Sequence, residues 1–109
     1  MSCADTGDGD MRQGINRKDA NHTEVVQCLI GIGARWRDAT GMPSFGCDGI
    51  ILFRKRAFLC EIKDGAKPPS ARTLTENERE LKELCESVGA PYLVVTSGQD
   101  AIEQLLKIS

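Results

Sequence analysis

The chain has 109 residues, 40% of them hydrophobic and 28% charged, with a formal net charge of −2. This length predicts one domain, and the composition is typical of an ordinary soluble globular protein. The slightly acidic balance excludes a protein that binds nucleic acid through its overall charge. Any such surface has to come from local clusters of Lys and Arg.

Cysteine usage and the N-terminus indicate a cytosol-like setting. The five cysteines have neither CxxC nor zinc-site spacing, so we expect reduced thiols (Cys3, Cys28, Cys47, Cys60 and Cys85). There is no signal-peptide pattern, and no apolar run approaches the ~20 residues of a membrane span, so no membrane partner is expected. Residues 1–18 are polar and glycine-rich and predict a flexible leader, which leaves residues 19–109 as the folded domain.

Hydrophobic periodicity and turn residues predict an α-β-β-β-α-β-α order. In chain order we predict a helix (19–33, capped by Asn21), a strand (34–38), a loop (39–46), two hairpin strands (47–53 and 57–63), a loop (64–72), a helix (75–88), a strand (92–95) and a last helix starting near Ser97 or Asp100. The hairpin strands are apolar on both faces, so they should lie centrally in a compact mixed α/β sheet, covered by helices. The second helix should face inward with Leu81, Leu84, Cys85 and Val88.

Three charged residues, Asp48, Glu61 and Lys63, stand in or at the ends of the hairpin strands. Charged side chains rarely occupy buried strand positions without a partner or a metal. Glu61 and Lys63 share a face because side chains alternate along a strand. A two-residue turn at positions 54–55 places Asp48 opposite Glu61, and one at 55–56 places it opposite Lys63; a turn of odd length would separate the groups.

Two carboxylates and an ammonium at one end of a sheet suit phosphodiester hydrolysis. Hard oxygen ligands hold Mg²⁺ or Mn²⁺, which usually takes only one or two protein carboxylates. The backbone carbonyl of Ile62, between Glu61 and Lys63, is a plausible further ligand. A lysine at this place can orient or deprotonate water, or stabilise charge that develops on the phosphate.

The pattern Asp48…Glu61-Ile62-Lys63 resembles the D-x(n)-E-x-K core of the PD-(D/E)xK nuclease superfamily. More narrowly, three stretches resemble small phage-encoded proteins of the VRR-NUC and Holliday-junction-resolvase-like type: Asp19-Ala-Asn-His-Thr-Glu24, Gly46-Cys-Asp48, and Glu61-Ile-Lys63-Asp-Gly-Ala-Lys67-Pro-Pro-Ser-Ala-Arg72-Thr-Leu-Thr. The similarity covers residues 17–106. Cys47 stands where the superfamily motif usually has proline.

The resemblance implies a restriction-endonuclease-like αβββαβα core and a metal-dependent nuclease that cuts branched, flap or junction DNA, often as a homodimer. It also implies the cytoplasm of a bacterium or of a phage-infected host. Asp48 and Glu61 would be metal ligands, Lys63 the catalytic lysine, and Glu24 the helix carboxylate that assists metal or water.

Other polar residues have two interpretations each. Glu24 stands three residues after Asn21, as in a capping box, so a helix cap explains it as well as a metal site does. Lys67, Arg72 and Thr73 precede a helix that could take a phosphate, or they form a solvated loop. Ser44 lies shortly before Asp48 and is expected to line the site and, with Lys67, Arg72 and Thr73, to bind nucleic acid. His22, the only histidine, is expected at the surface of the first helical turn.

Two rival functions remain open from sequence. One is a module of the same fold that binds nucleic acid or protein without catalysis. The other is a restriction-type enzyme that reads sequence in the major groove, which usually needs a further recognition segment. The acid-acid-lysine set favours catalysis, because a charged cluster in a strand is costly to keep without use.

Overall fold

The computed structural model describes residues 21–109; the predicted leader (1–18) and Cys3 lie outside the described residues. The elements follow the predicted α-β-β-β-α-β-α order. They are α1 (His22–Gly31), β1 (Arg35–Asp38), β2 (Gly49–Phe53), β3 (Arg56–Ile62), α2 (Glu76–Val88), β4 (Tyr92–Val95) and α3 (Gly98–Ile108), with short 3-10 turns at Pro43–Phe45 and Pro69–Ala71.

The four strands form one mixed sheet in the order β1-β2-β3-β4. β1 pairs with β2 and β2 with β3 in antiparallel fashion, whereas β3 and β4 are parallel. The hairpin of β2 and β3 is therefore central, as predicted. Its turn is the two-residue Arg54-Lys55 pair, which has positive φ angles of 51° and 67°. This turn sets the register in which Gly49 faces Cys60, one of the two even-turn registers expected from sequence.

One face of the sheet carries the hydrophobic core. Alternate residues of β2 and β3, among them Ile51 and Phe58, are fully buried on this face. They pack with Val25 and Leu29 of α1 and with residues of α3 in one cluster. The helices α1 and α3 contact each other extensively, and Gly98 permits this approach because a Cβ there would collide with Cys28. The remaining core residues are Ala34, Phe53, Cys60, Ile62, Leu93, Val95, Ala101 and Leu105.

Among residues 21–109, α2 covers part of the opposite face of the sheet, and the Pro43–Phe45 turn packs against this helix. Glu78 and Cys85 of this helix point toward the sheet side, but the inner stripe predicted for α2 is wrong at two positions. Leu84 is 61% exposed and Val88 is 78% exposed. The physical reason is that, in the part of the chain from residue 21 to 109, α1 and α3 pack on the core face, so no second α-helix lies beside α2 to cover this flank.

The start of α1 also departs from the prediction. Asn21 is the N-cap residue, but its side chain makes no capping hydrogen bond. Its Nδ2 donates instead to the carbonyls of Lys63 (3.1 Å) and Thr96 (2.6 Å), which ties α1 to the ends of β3 and β4. His22, expected at the surface, is buried beside Trp36, and its Nε2 lies 3.3 Å from Asp38 Oδ1.

Two further sequence expectations concern thiols and membranes. The cysteines within the described residues are free thiols, and three of the four are buried (Cys28, Cys47, Cys60 and Cys85). In the part of the chain from residue 21 to 109, no helix has the length and hydrophobicity needed to cross a membrane.

Candidate active site

Asp48 and Glu61 meet where the central hairpin ends. Asp48 directly precedes β2, and its N–H donates to the carbonyl of Cys60 (3.0 Å). Its carboxylate Oδ2 accepts a hydrogen bond from the N–H of Ile62 (2.8 Å). Asp48 is thus bonded to the residues on both sides of Glu61, so the two carboxyl groups are neighbours at one end of the sheet.

Glu61 is a buried carboxyl group, with 4% of the residue exposed. Burial is the main reason that the pKa of Glu61 rises to about 9, and the nearby charge of Asp48 and a hydrogen bond with Glu78 raise it further. Its Oε1 atom is buried and has no hydrogen-bond partner among residues 21–109. Without a bound cation, Glu61 is therefore held as a neutral acid near pH 7.

Lys63 is held between two glutamates. Its Nζ lies 3.3 Å from Glu61 Oε2 and donates to Glu78 Oε1 at 2.9 Å. Burial by itself lowers the pKa of Lys63, but the hydrogen bond to Glu78 and the charges of both glutamates outweigh burial and raise it. Lys63 therefore remains an ammonium at neutral pH, oriented mainly by Glu78.

Glu78 has a second bond that fixes its own position. Its Oε1 accepts the N–H of Thr75, and Thr75 Oγ accepts the N–H of Glu78, so the two form a capping box at the start of α2. Burial raises the pKa of Glu78, yet the Thr75 N–H and the Lys63 ammonium lower it overall. The helix start and the site lysine are thus joined through one carboxylate.

The segment before Asp48 is fixed by Gly46 and Tyr92. Gly46 has φ of 105°, a conformation that disfavours side chains, and a Cβ there would lie 2.8 Å from Leu81 Cβ. Tyr92 Oη donates to the Gly46 carbonyl at 2.6 Å. β4 and α2 together therefore hold the approach to Asp48.

The carboxylates open onto a cavity of about 290 Å³. Its walls come from the β1–β2 connection, from the hairpin end and from the first turn of α2. The lining residues are Ala39, Thr40, Met42, Cys47, Asp48, Glu61, Thr75, Asn77 and Glu78. The cavity gives a ligand access to the two neighbouring carboxyl groups.

The donor set fits a hard divalent cation. Asp48 and Glu61 offer carboxylate oxygens, and the unpartnered Glu61 Oε1 is an oxygen with coordination capacity to spare. The N–H and C=O of one strand residue point the same way, so the Ile62 carbonyl faces the side of Asp48. No group of three or more His, Cys, Asp or Glu side chains among residues 21–109 is arranged to hold a metal, but Mg²⁺ commonly uses only one or two carboxylates.

Glu24 does not line this cavity. Its Oε2 accepts the N–H of Gly98 (3.2 Å), the first residue of α3. The capping box with Asn21 is absent as well, so neither sequence interpretation describes the contact. Glu24 instead stabilises the N-terminus of a different helix, whose first amides have no partner within the helix.

The four residues proposed for nucleic-acid binding also stand outside the cavity wall. Ser44, Lys67 and Thr73 are exposed, and Arg72 is half-buried, with an Nε atom that has no hydrogen-bond partner among residues 21–109. The loop that carries Lys67, Arg72 and Thr73 begins at Lys63 and returns to the cavity at Thr75. The loop therefore starts and ends at the site, but none of these side chains lines the cavity.

Sequence reasoning missed three contributors: Glu78, Tyr92 and Asn21. A signal existed for Glu78, because Thr75-x-x-Glu78 has the capping-box spacing. No signal existed for its contact with Lys63, which joins residues 15 positions apart through the packing of α2 on the sheet. Comparisons with protein-family models, with curated proteins and with solved structures find no match to this chain.

Proposed function

We propose that this protein is a metal-dependent nuclease that hydrolyses phosphodiester bonds at the Asp48–Glu61–Lys63 cluster. The observation that carries the proposal is a pair of neighbouring carboxyl groups, Asp48 and Glu61, that line a cavity at the end of the hairpin, with the Lys63 ammonium 3.3 Å from Glu61. This arrangement agrees with the resemblance to the D…ExK motif. The proposal includes a restriction-endonuclease-like core.

Each residue has a distinct role in the proposed reaction. Asp48, Glu61 and the Ile62 carbonyl would hold Mg²⁺ or Mn²⁺, which polarises the scissile phosphate and lowers the pKa of a bound water. Lys63, kept as an ammonium, contributes a positive charge and N–H donors to the phosphate oxygens as negative charge develops there. Glu78 is a positioning residue, because it acts through Lys63.

Branched, flap or junction DNA is the proposed substrate, and a homodimer the proposed form. In this proposal the loop between Lys63 and α2, which carries Lys67, Arg72 and Thr73, contacts the phosphate backbone beside the scissile bond. Such contacts add affinity without reading sequence.

The decisive experiment is a cleavage panel of linear, nicked, flapped and four-way DNA, and of single-stranded RNA, with Mg²⁺ and with Mn²⁺. Lys63→Met should abolish cutting while the circular dichroism spectrum stays that of the wild type. Asp64→Asn is the matched control. Asp64 follows Lys63 directly, and among residues 21–109 its side chain accepts the N–H of Ala66 through Oδ1, a turn contact that asparagine preserves.

The outcomes separate catalysis from binding alone. Cleavage that survives in Lys63→Met would overturn the assignment. If no substrate is cut with either metal, but branched DNA is retarded in gels, the protein is a binding module without catalysis.

A further inference from the structure

Strand β1 places two arginines, Arg35 and Arg37, on the sheet face that carries Glu61. Arg37 pairs with Ile50, and Ile50 in turn pairs with Leu59, so these three side chains point to the same side. Glu61 lies two residues beyond Leu59, and Arg35 two residues before Arg37, so both share this side. Both arginines are exposed. The site carboxylate and the two guanidinium groups therefore belong to one surface.

The row of β1 side chains on this face leads to the cavity. Ala39 lies two residues after Arg37 and lines the cavity, and its N–H donates to the carbonyl of Asp48 (2.7 Å). Alternate residues of a strand are about 7 Å apart, so Arg37 and Arg35 lie roughly 7 and 14 Å from Ala39 along the strand direction. The arginines therefore begin where the cavity wall ends.

No carboxylate among residues 21–109 forms an ion pair with either arginine. Arg35 Nη1 donates to the carbonyl of Ala34 (3.2 Å), which is a neutral partner. The carboxylate of Asp38 accepts the indole N–H of Trp36 (3.2 Å), and Trp36 packs against the hydrophobic core on the other face of the sheet. Asp38 is thus engaged away from the arginines, and their positive charges are available to an anion.

The helix on the other side of the cavity has the opposite charge. The sequence of α2, ENERELKELCESV, contains five glutamates against one arginine and one lysine. Its Lys82 is already paired with Glu86 of the same helix. A polyanion that approaches the cavity is therefore repelled on the α2 side and attracted on the β1 side. This separation of charge arises although the whole chain has a net charge of −2.

We propose that Arg35 and Arg37 bind the phosphodiester backbone of DNA beside the cavity. The exposed run Arg54-Lys55-Arg56 at the hairpin tip extends the positive surface away from the site. The basic loop that follows Lys63 leaves the sheet on the other side of Glu61, so a strand that contacts both segments passes over the carboxylates. Such contacts position DNA without reading its sequence. The choice of DNA rests on the proposed function.

A second role for these arginines needs no ligand. Charged side chains on an edge strand such as β1 hinder its pairing with strands of other chains. That role predicts no change in DNA affinity when the arginines are replaced by a neutral polar residue. DNA binding by charge variants therefore distinguishes the two roles.

The test measures binding of the full-length chain to a fluorescein-labelled four-way DNA junction and to a linear duplex. Fluorescence anisotropy is recorded in EDTA, where a metal-dependent reaction does not proceed. The slope of log K against log salt concentration reports the number of phosphate contacts. Arg35→Gln and Arg37→Gln should each reduce this slope by about 1, and the double variant should weaken binding by roughly tenfold or more.

Two variants are controls. Lys107→Gln removes one positive charge from an exposed position on α3, the helix that packs on the core face, and the slope should remain that of the wild type. Arg35→Lys with Arg37→Lys retains both charges and should keep most of the affinity and the slope. Retention by lysine shows that the glutamine variants lose binding through charge.

Wild-type affinity and slope in the Arg35→Gln, Arg37→Gln double variant would overturn the proposal and leave β1 as a protected edge. An equal loss in Lys107→Gln would attribute binding to overall charge, and the proposal would be wrong. Failure of the wild type to bind either probe would also refute it. Cleavage with an unchanged slope refutes the arginine contacts alone, whereas a reduced slope without any cleavage by the wild type refutes the nuclease alone.

Discussion

The Nζ atom of Lys63 lies 2.9 Å from Glu78 Oε1 and farther, 3.3 Å, from Glu61 Oε2. The glutamate of the E-x-K motif is therefore not the closer partner of its lysine; a helix that follows in sequence supplies that partner. Since Glu78 also caps its own helix, the orientation of Lys63 depends on how α2 is seated on the sheet.

The Glu78→Gln variant removes the ion pair with Lys63 but keeps the helix cap. Glutamine at this position still completes a capping box, so the fold should stay within about 1 kcal/mol of the wild type. Cleavage should fall by roughly tenfold because Lys63 is oriented less firmly. A tenfold fall corresponds to a rise of about 1.4 kcal/mol in the activation free energy. The alkaline limb of the pH–rate profile should move to lower pH, since Lys63 loses the group that raises its pKa. Equal rates for Glu78→Gln and Glu76→Gln, an exposed control, would contradict this role.

Asp48→Asn tests the cation site without disturbing the hairpin. The asparagine oxygen can still accept the N–H of Ile62, so the hairpin end should be preserved. Mg²⁺ or Mn²⁺ at ten times its dissociation constant should stabilise the wild type by about 1.4 kcal/mol and raise Tm by several degrees. Differential scanning fluorimetry should show no such shift for Asp48→Asn and a normal shift for Asp64→Asn. A shift of equal size in all three proteins would place the cation elsewhere.

Glu61 makes the metal-free protein sensitive to pH. Its pKa is about 9 in the fold against 4.5 as the ordinary value, so the folded chain holds this proton more tightly than the unfolded chain does. The resulting stabilisation is complete below about pH 4.5 and is lost as the pH rises toward 9, with a slope of up to ~1.4 kcal/mol per pH unit. Urea unfolding in EDTA should show this decline between pH 5 and 9, and Glu61→Gln should abolish it.

The exposed Glu76→Gln is the control for that pH series and should retain the wild-type slope. A wild-type stability that rises across this interval would contradict the assignment of a neutral Glu61. Divalent cations should stabilise the protein more as the pH increases, because coordination requires the ionised carboxylate.

Glu24→Ala should affect stability rather than metal binding. Its carboxylate accepts the N–H of Gly98 at the start of α3, a contact of the kind that stabilises by about 0.5–2 kcal/mol. Chemical denaturation should show a loss of that size, and Glu24→Gln should recover most of it. The Mg²⁺-dependent rise in Tm should be unchanged in both variants. Loss of that rise would place Glu24 in the cation site, as the family resemblance implies.

The Arg54-Lys55 turn stores backbone strain. Both residues have positive φ, and L-residues in that region cost about 1–2 kcal/mol each, whereas Asn-Gly is favoured in such turns. The double variant Arg54→Asn, Lys55→Gly should raise the free energy of unfolding by about 1 kcal/mol. This is the relieved strain less the conformational entropy that glycine loses on folding. The double alanine variant removes the same side chains without relieving the strain and should show no gain. Stability that is equal in the two double variants would refute the strained turn.

Much of the architecture could be read from the chain because the signals are local. Periodicity and turn residues predict the element order and the central hairpin. A two-residue turn at either 54–55 or 55–56 restricts the pairing of the two hairpin strands to two registers. The structure has the one with the Arg54-Lys55 turn. The neighbouring positions of Asp48, Glu61 and Lys63 follow from that register, because side chains alternate along strands.

The contacts between elements could not be read in this way. A capping box predicted on α1 is absent, and the one on α2 that orients Lys63 was overlooked. Glu24 turned to α3 because the close packing of α1 on α3 brings Gly98 within reach. Leu84 and Val88 have the sequence pattern of buried residues and are exposed, since periodicity reports which side of a helix is apolar but not whether anything covers it.

The sequence by itself therefore determined which groups share the sheet face at the hairpin end: two carboxylates and a lysine, fixed by strand alternation and a two-residue turn. Only the tertiary structure decided their protonation and their partners. Without a bound cation, burial keeps Glu61 neutral near pH 7, and Glu78 helps to keep Lys63 charged. Both effects depend on which helix lies over the strand end, a matter of packing between distant segments that no local pattern encodes.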